Sequence, residues 1–506
     1  SGKDHQESQE QDPSQSLRYI PKRKKAVATA QLDLLDAIQA QSSTEEQLNF
    51  SEYDGKKSII LSATAGSGKT RSTVERLKSL LRRGVDPKKI IFFSFTKAAT
   101  DELTKRIDNS DIKITTIHAF CLSILLRAGR KKEITNFFDF IEWYKGSYKP
   151  HAQASWQDKD EFRTQIAEMY ETADLISGQI SAFKLQRADG IRAKMPEYFL
   201  DYERYQKERK ARDFADMLIE VHEMFQEDKW LSMWKGKYDY IFVDEYQDTS
   251  TIQLKTLLAL NARYYYLIGD PNQSIFGYSG ANSAKLDAML CERRSVEHMT
   301  LSVNFRSDVS IVENSNNYSN LKASANSKEA GEVDFTVMTK TEQLRDVLDN
   351  HDEVAVLVRT NKVIKYMEQV FLGMKYPLRY FNFITPRDIE SIKEGKIHPM
   401  LKSKLDSIVS KYGTYDAIIK FIEDNKNSKK FITSIHKSKG REFEVCVVVN
   451  SIAPEVLDDN GFALPDKQFK KVSFTYDDKD VEERNIHYVA VSRSKHKLYY
   501  MLFGNP

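Results

Sequence analysis

The segment Ala63-Thr-Ala-Gly-Ser-Gly-Lys-Thr70 follows the apolar run Lys57-Ser-Ile-Ile-Leu-Ser62 and opens a helical pattern. Small residues at Ala63, Gly66, Ser67 and Gly68 let successive backbone N–H groups turn inward around a polyphosphate. Lys69 adds a mobile positive charge, and the Thr70 hydroxyl completes a Mg²⁺ shell. Further along, Tyr240-Ile-Phe-Val-Asp-Glu-Tyr-Gln-Asp248 reads as a buried strand ending in adjacent carboxylates. Asp244 suits a metal ligand there, and Glu245 suits the base that takes a proton from attacking water. An ordinary strand with an acidic turn has the same pattern, and the upstream loop decides against it. Gln273, in Gly269-Asp-Pro-Asn-Gln273, can report a γ-phosphate. Phosphoryl transfer also needs cations on the developing charge. Arg306 in Asn304-Phe-Arg-Ser307 and Arg493 in Val491-Ser-Arg-Ser494 are the two guanidinium candidates, although either alone reads more readily as a surface ion pair.

The elements that must position these groups are those of an α/β protein. Short β-rich runs at Ile90–Phe95, Tyr238–Val243, Tyr264–Ile268, Val354–Val358, Val445–Val449 and Leu498–Phe503 alternate with helical patterns. This is the pattern of parallel sheets covered on both faces. At 506 residues the chain is too long for one core. It is 41% hydrophobic and 29% charged, with a net charge of +3, too small to establish a polyanionic partner by itself. No apolar run approaches the ~20 residues of a membrane helix, and no signal-peptide core opens the chain. The scattered Cys121, Cys291 and Cys446 argue against a disulfide frame or a zinc site and suit a reducing, cytoplasmic setting. Pro21-Lys-Arg-Lys-Lys25 reads as a solvated basic stretch or a phosphate-contacting arm.

Taken in order, these blocks resemble superfamily 1A DNA helicases of the UvrD/Rep/PcrA type. The blocks are Gln31 in Ala30-Gln-Leu-Asp33, the phosphate loop, Phe95-Thr-Lys-Ala-Ala-Thr-Asp-Glu-Leu103, Thr115-Thr-Ile-His-Ala-Phe120 and Asp213-Phe-Ala-Asp-Met-Leu218. The Asp244–Asp248 and Gly269–Gln273 strand ends follow, then Asn304–Ser307, Ser434-Ile-His-Lys-Ser-Lys-Gly-Arg-Glu-Phe443 and Glu482–Arg493. The resemblance implies two RecA-like parallel-sheet domains, each with a helical insertion. The expected layout is a disordered tail over 1–20, a first domain over 21–127 and 206–284, and a helical insertion at 128–205. A second domain is expected over 285–381 and 431–506, with a short insertion at 382–430.

The resemblance further implies ATP and Mg²⁺ between the domains. Gln31 would read the adenine, Phe305 would stack on it, Arg71 would lie near the nucleotide and Glu442 would contact the ribose. Single-stranded DNA would cross Phe95, Thr96, Thr116, His118 and Tyr278 on the first domain, and Ser434, His436 and Lys437 on the second. Plain core aromatics and a turn-capping histidine are the alternatives for the first group. The implied activity is a 3′-to-5′ DNA helicase or translocase acting on single strands and single-strand/duplex junctions. Its implied partners are replication, repair or recombination proteins, with no membrane, in a bacterial or phage-infected cell. A DNA-stimulated ATPase that remodels nucleoprotein complexes is the alternative, and a nucleotide-dependent component of a larger assembly is a third.

Departures from the family pattern are Ser279 where arginine is usual, Lys97 one position early, and a second insertion without the Gly-Ile-Gly duplex motif. That insertion is expected to be a few helices, with regulation by its rotation absent or altered. No further domain is expected after the last motif.

Overall fold

A computed structural model gives the architecture, describing residues 43–107, 109–275, 283–338, 343–380, 382–395, 397, 399–449 and 481–503. Two wholly parallel sheets organise them. The first is six-stranded, in the order Lys113–Thr116, Ile90–Ser94, Tyr240–Asp244, Tyr264–Gly269, Ser58–Ala63, Val296–Leu301. The second is five-stranded, in the order Glu332–Met338, Ser494–Phe503, Phe443–Val449, Val354–Val358, Lys430–Ser434.

Strands buried on both faces explain the unbroken apolar runs. Every residue of Ile90–Ser94 and of Val354–Val358 is buried. Alternate residues of the first sheet face different helices. Ile60, Ile91, Phe93, Ile241 and Val243 pack against helices Ile117–Arg127, Phe214–Met224 and Thr251–Ala259. Ile59, Leu61, Ile90, Phe92 and Phe242 pack against helices Lys69–Arg82 and Lys97–Ile107.

Register decides where chemistry can sit. Ser62 pairs with Gly269 and Asp244 with Ile268, so three neighbouring strands end level with one another. The phosphate loop, the Asp244–Glu245 turn and the Asp270–Gln273 turn therefore emerge together at the carboxyl edge. That edge is the general ligand site of open α/β sheets.

Two expected boundaries need correction. Strand Val296–Leu301 pairs in parallel with Ser58–Ala63 and completes the first sheet, so the division at 284/285 falls too early. Its mixed sequence, Val-Glu-His-Met-Thr-Leu, is that of an edge strand with one wet side and lacks the apolar run that marks the central strands. The division at 205/206 cuts through helix Phe199–Arg209, whose Tyr202 and Tyr205 belong to the core of the first insertion. The tail over 1–20 lies outside the described residues.

The two insertions differ physically. The first comprises helices Phe137–Ser147, Trp156–Glu171, Ala173–Ala188 and Phe199–Arg209 around a core of its own, centred on Phe137, Phe140, Ile141 and Tyr202. Asp189 fastens it to the sheet domain through Lys255 and Lys285. The second comprises helices Pro386–Lys393, Pro399–Tyr412 and Tyr415–Asp424. Its Ile392, Leu401, Leu405, Ile408 and Ile418 share one core with Val356, Ile364 and Phe371 of the second sheet domain.

Phe140→Ala removes a fully buried ring and costs about 3–5 kcal/mol. Hydrogen exchange is expected to accelerate over 137–209 while the first sheet stays protected. Leu405→Ala, at about 2–5 kcal/mol, is expected to expose the second insertion and the second sheet together. Exchange confined to 386–424 in that variant would contradict the shared core.

Candidate functional site

The first contribution is the loop after Ser58–Ala63. Gly66 and Gly68 hold φ of 73° and 76°, in the left-handed region that glycine adopts without strain. A Cβ on Gly66 would also come within 2.8 Å of Arg306 Cβ and Asn304 Oδ1. The loop therefore needs glycine there for backbone angle and for space. Gly68 caps helix Lys69–Arg82, whose positive end faces the loop, with Thr70 and Arg71 half-buried on its first turn.

Lys69 Nζ bonds Glu245 and lies 3.4 Å from Asp244 Oδ1. Burial works against the Lys69 charge, but Asp244 and Glu245 outweigh it and hold the ammonium above its ordinary value. Burial likewise pushes Glu245 upward, yet Lys69 and then Lys439 bring it down to about 2, so it stays a carboxylate. Glu245 sits at φ 51°, a left-handed turn that costs a non-glycine residue about 1–3 kcal/mol and that lifts its side chain out of the strand direction. Gln247 Nε2 donates to its second oxygen at 2.5 Å.

The second sheet answers across the seam. Arg493 is 1% exposed, and its Nη2 donates to Gln273 Oε1 at 3.0 Å. Burial, with Arg306 beside it, lowers this guanidinium to about 10, which leaves it charged at neutral pH. Arg306 Nε donates to Glu442 at 2.9 Å and its Nη1 to Ser492 O at 3.2 Å. Phe305 is 39% exposed beside the loop, its N–H on Gly66 O. Lys439 bridges the sheets too, donating to Asp248 and to Gln273 O. Asn485 Nδ2 reaches Ser274 O at 3.0 Å.

The structure thus brings together Lys69, Asp244, Glu245, Gln273, Arg306, Arg493, Phe305 and Glu442. The donor set fits a nucleotide polyphosphate with Mg²⁺. Glycines form a cradle that a side chain would fill, and one hydroxyl and one strand-end carboxylate match the sparse protein ligation typical of Mg²⁺ on phosphates. Among the described residues no group of three or more acidic, histidine or cysteine side chains is placed to hold a metal ion.

Gln31 lies outside the described residues. A glutamine that sequence reasoning missed does touch the loop: Gln47 Nε2 donates to Ser67 O at 3.0 Å and would meet a Gly68 Cβ at 2.9 Å. The signal was legible as Thr44-Glu-Glu-Gln47, a capping box that opens helix Glu45–Ser51.

The expected DNA residues form two groups at strand carboxyl ends. Phe95, 45% exposed, and Thr96 follow Ile90–Ser94, while Thr116 and His118 follow the adjacent Lys113–Thr116. Thr116 Oγ1 accepts Ala119 N at 3.1 Å and so caps its helix. Ser434 does the same for Lys437 N at 3.3 Å, with His436 half-buried and Lys437 exposed. Burial lowers both His118 and His436 to about 4, so neither brings positive charge to a phosphate at neutral pH. Phe214, 56% exposed and 5.3 Å from the His118 ring, is an aromatic that sequence reasoning passed over despite its place in Asp213–Leu218. Tyr278 and Ser279 lie outside the described residues.

Residues 43–292 match the UvrD/REP helicase N-terminal domain, and residues 387–504 match the UvrD-like helicase C-terminal domain. The first match begins beyond Gln31 and includes Gln47. A probable DNA helicase II homolog of Mycoplasma pneumoniae is 29% identical over 291 residues, covering 51% of this chain and 39% of that protein. Its counterpart in Mycoplasma capricolum is 25% identical over 396 residues, covering 70% and 54%. The ATP-dependent DNA helicase PcrA of Staphylococcus aureus is 25% identical over 375 residues, covering 68% and 51%. The chain therefore spans about half the length, or less, of these relatives. No described helix is long and apolar enough to cross a membrane.

Burial also lowers His487, to about 3. Each of these three imidazoles is neutral in the fold while the unfolded chain titrates near 6.5, so stability is full above that pH and falls as pH drops toward 4. The expected slope is at most about 1.4 kcal/mol per pH unit per histidine. Urea unfolding at pH 7.5, 6.5 and 5.5 checks it. His118→Gln should flatten the slope, and an unchanged slope would contradict the assignment.

Proposed function

Because the chain belongs to the UvrD/Rep/PcrA type of superfamily 1 helicases, we propose that it is an ATP-dependent DNA helicase or translocase. In this reading it moves 3′-to-5′ on single-stranded DNA and separates duplex at single-strand/duplex junctions. The observation that carries the proposal is the two-sided phosphate site, in which Arg493 of the second sheet meets Gln273 of the first at 3.0 Å.

Lys69 and the loop amides would hold the β- and γ-phosphates, and Thr70 and Asp244 would hold Mg²⁺. Bound MgATP supplies the scissile γ-phosphoryl and a cation that neutralises it. Glu245, kept ionised by Lys69, orients the attacking water and accepts its proton. Gln273 and the Arg306 and Arg493 guanidinium groups stabilise the charge that develops on the transferring group. Phe305, Arg71 and Glu442 hold base and sugar, and Gln47 takes the base-reading place given above to Gln31. Groups on opposite sheets that share one phosphate make ATP favour a closed seam, and loss of the γ-phosphate removes that preference.

Phe95, Thr96, Thr116, His118, Tyr278, Ser434, His436 and Lys437 form the DNA track. Aromatic stacking there is worth about 1–3 kcal/mol per base. Cytoplasmic replication, repair or recombination proteins are the partner class that goes with this activity.

A second reading is a DNA-stimulated ATPase that remodels nucleoprotein complexes without separating strands. It draws on the second insertion, whose helices merge with the core of the sheet domain. A mobile arm that grips duplex would need an independent core.

Matched duplexes with 3′ or 5′ tails test the reading. Unwinding from the 3′ tail alone is expected. Strong DNA-stimulated hydrolysis without displacement would favour remodelling, and unwinding from the 5′ tail alone would reverse the polarity. Glu245→Gln should keep ATP and DNA binding while turnover falls about 10²–10⁴-fold. Arg493→Ala should lower kcat by about 10³–10⁵. Wild-type turnover in either variant would remove its assigned role.

A further inference from the structure

The phosphate loop is held from outside as well as shaped from within. Three successive carbonyls accept donors from other segments. Ala65 O accepts Asn304 Nδ2 at 2.8 Å, Gly66 O accepts Phe305 N at 2.8 Å, and Ser67 O accepts Gln47 Nε2 at 3.0 Å. In a trans peptide unit, the C=O of one residue and the N–H of the next point in opposite directions. Pinning Ala65 O and Ser67 O outward therefore turns the N–H groups of Gly66 and Gly68 to the concave side, where such nests bind anions. The Ser67 N–H goes instead to Thr64 O at 3.2 Å and closes the turn.

Asn304 does two jobs with one buried side chain. It is 3% exposed, and while its Nδ2 holds the loop, its Oδ1 accepts Arg306 N at 2.8 Å and Ser307 N at 2.9 Å. Those two amides belong to the turn that presents the Arg306 guanidinium. The same turn is tied to the second sheet, where Ser307 Oγ donates to Ser494 O at 2.6 Å and Asp308 N to Lys495 O at 2.9 Å. A second tie crosses from helix Val481–Val491, which ends just before Arg493, as Tyr488 Oη accepts Ala65 N at 3.2 Å. The loop of the first sheet thus takes its shape partly from residues fastened to the second.

We infer that Asn304 is a positioning residue that sets the phosphate-loop amides and the Arg306 turn together, so that phosphate grip and finger placement change as one when the sheets move. The inference rests on reading the site as a nucleotide site, and ADP affinity separates the two. ADP engages the loop but has no γ-phosphate for the finger.

Asn304→Asp keeps the acceptor for Arg306 N and Ser307 N and loses the donor to Ala65 O. Binding of a fluorescent ADP analogue with Mg²⁺ is expected to weaken about tenfold, the scale of one buried hydrogen bond left unmade, and kcat to fall by a similar factor. Arg306→Ala should lower kcat while ADP affinity stays within about twofold, because its side chain holds no loop carbonyl. The kcat losses of the two variants should be less than additive. Tyr488→Phe keeps the ring and removes one loop tie, so it serves if Asn304→Asp does not fold, with ADP binding about fivefold weaker. Wild-type ADP affinity in a folded Asn304→Asp, or in Tyr488→Phe where that variant serves, overturns the inference, as do fully additive kcat losses. A wild-type protein that binds no ADP would instead overturn the nucleotide reading itself.

Discussion

A buried ammonium must have anions beside it, and most of the candidate site's architecture follows from that requirement at Lys69. Desolvation works against its charge, and two carboxylates at the end of the central strand Tyr240–Asp244 outweigh it. Those carboxylates can reach it only because parallel register brings three strand ends level. The same pairing keeps Glu245 ionised, the state that the proposed base role requires. Lysine charge, strand register and base protonation are one arrangement seen from three sides. Removing Lys69 leaves two adjacent carboxylates without their cation, whereas removing either carboxylate leaves Lys69 paired with the other.

Closure across the seam extends this arrangement to the second sheet. Arg493 on Gln273, Lys439 on Asp248 and Asn485 on Ser274 all join a strand end of the first sheet to a helix or loop of the second. Lys439 lies two residues beyond Lys437, the last of the proposed DNA contacts on the second sheet, and Asp248 lies three residues from Glu245. In the proposed reading, this contact would link the DNA-facing end of the second sheet to the carboxylates of the first. Burial raises Asp248 to about 6 even with Lys439 beside it.

Much of this was legible in the residues themselves. The apolar runs at Ile90–Phe95 and Val354–Val358 marked central parallel strands because burial on both faces leaves no polar positions. The phosphate loop and Asp244–Glu245 were readable because glycine spacing and strand-end carboxylates have few other uses together. Strand Val296–Leu301 was not legible as part of the first sheet, since an edge strand carries Glu297 and His298 without penalty. Gln31 drew the base-reading role from the family resemblance alone, whereas Gln47 makes its contact through a capping box and a tertiary approach to Ser67. The role of Asn304 lies in three hydrogen bonds between segments far apart in sequence, and no local spacing encodes them.

The central claim is that guanidinium groups of the second sheet close on a phosphate held by the first. Single-molecule energy transfer between labels at Lys88 on the first sheet domain and Lys429 on the second, both at exposed positions away from the seam, tests it most directly. A non-hydrolysable ATP analogue should shift wild-type protein to one high-transfer population, and the Arg306→Ala/Arg493→Ala double variant should stay distributed as it is without nucleotide. Identical closure by the analogue in both proteins would contradict the claim.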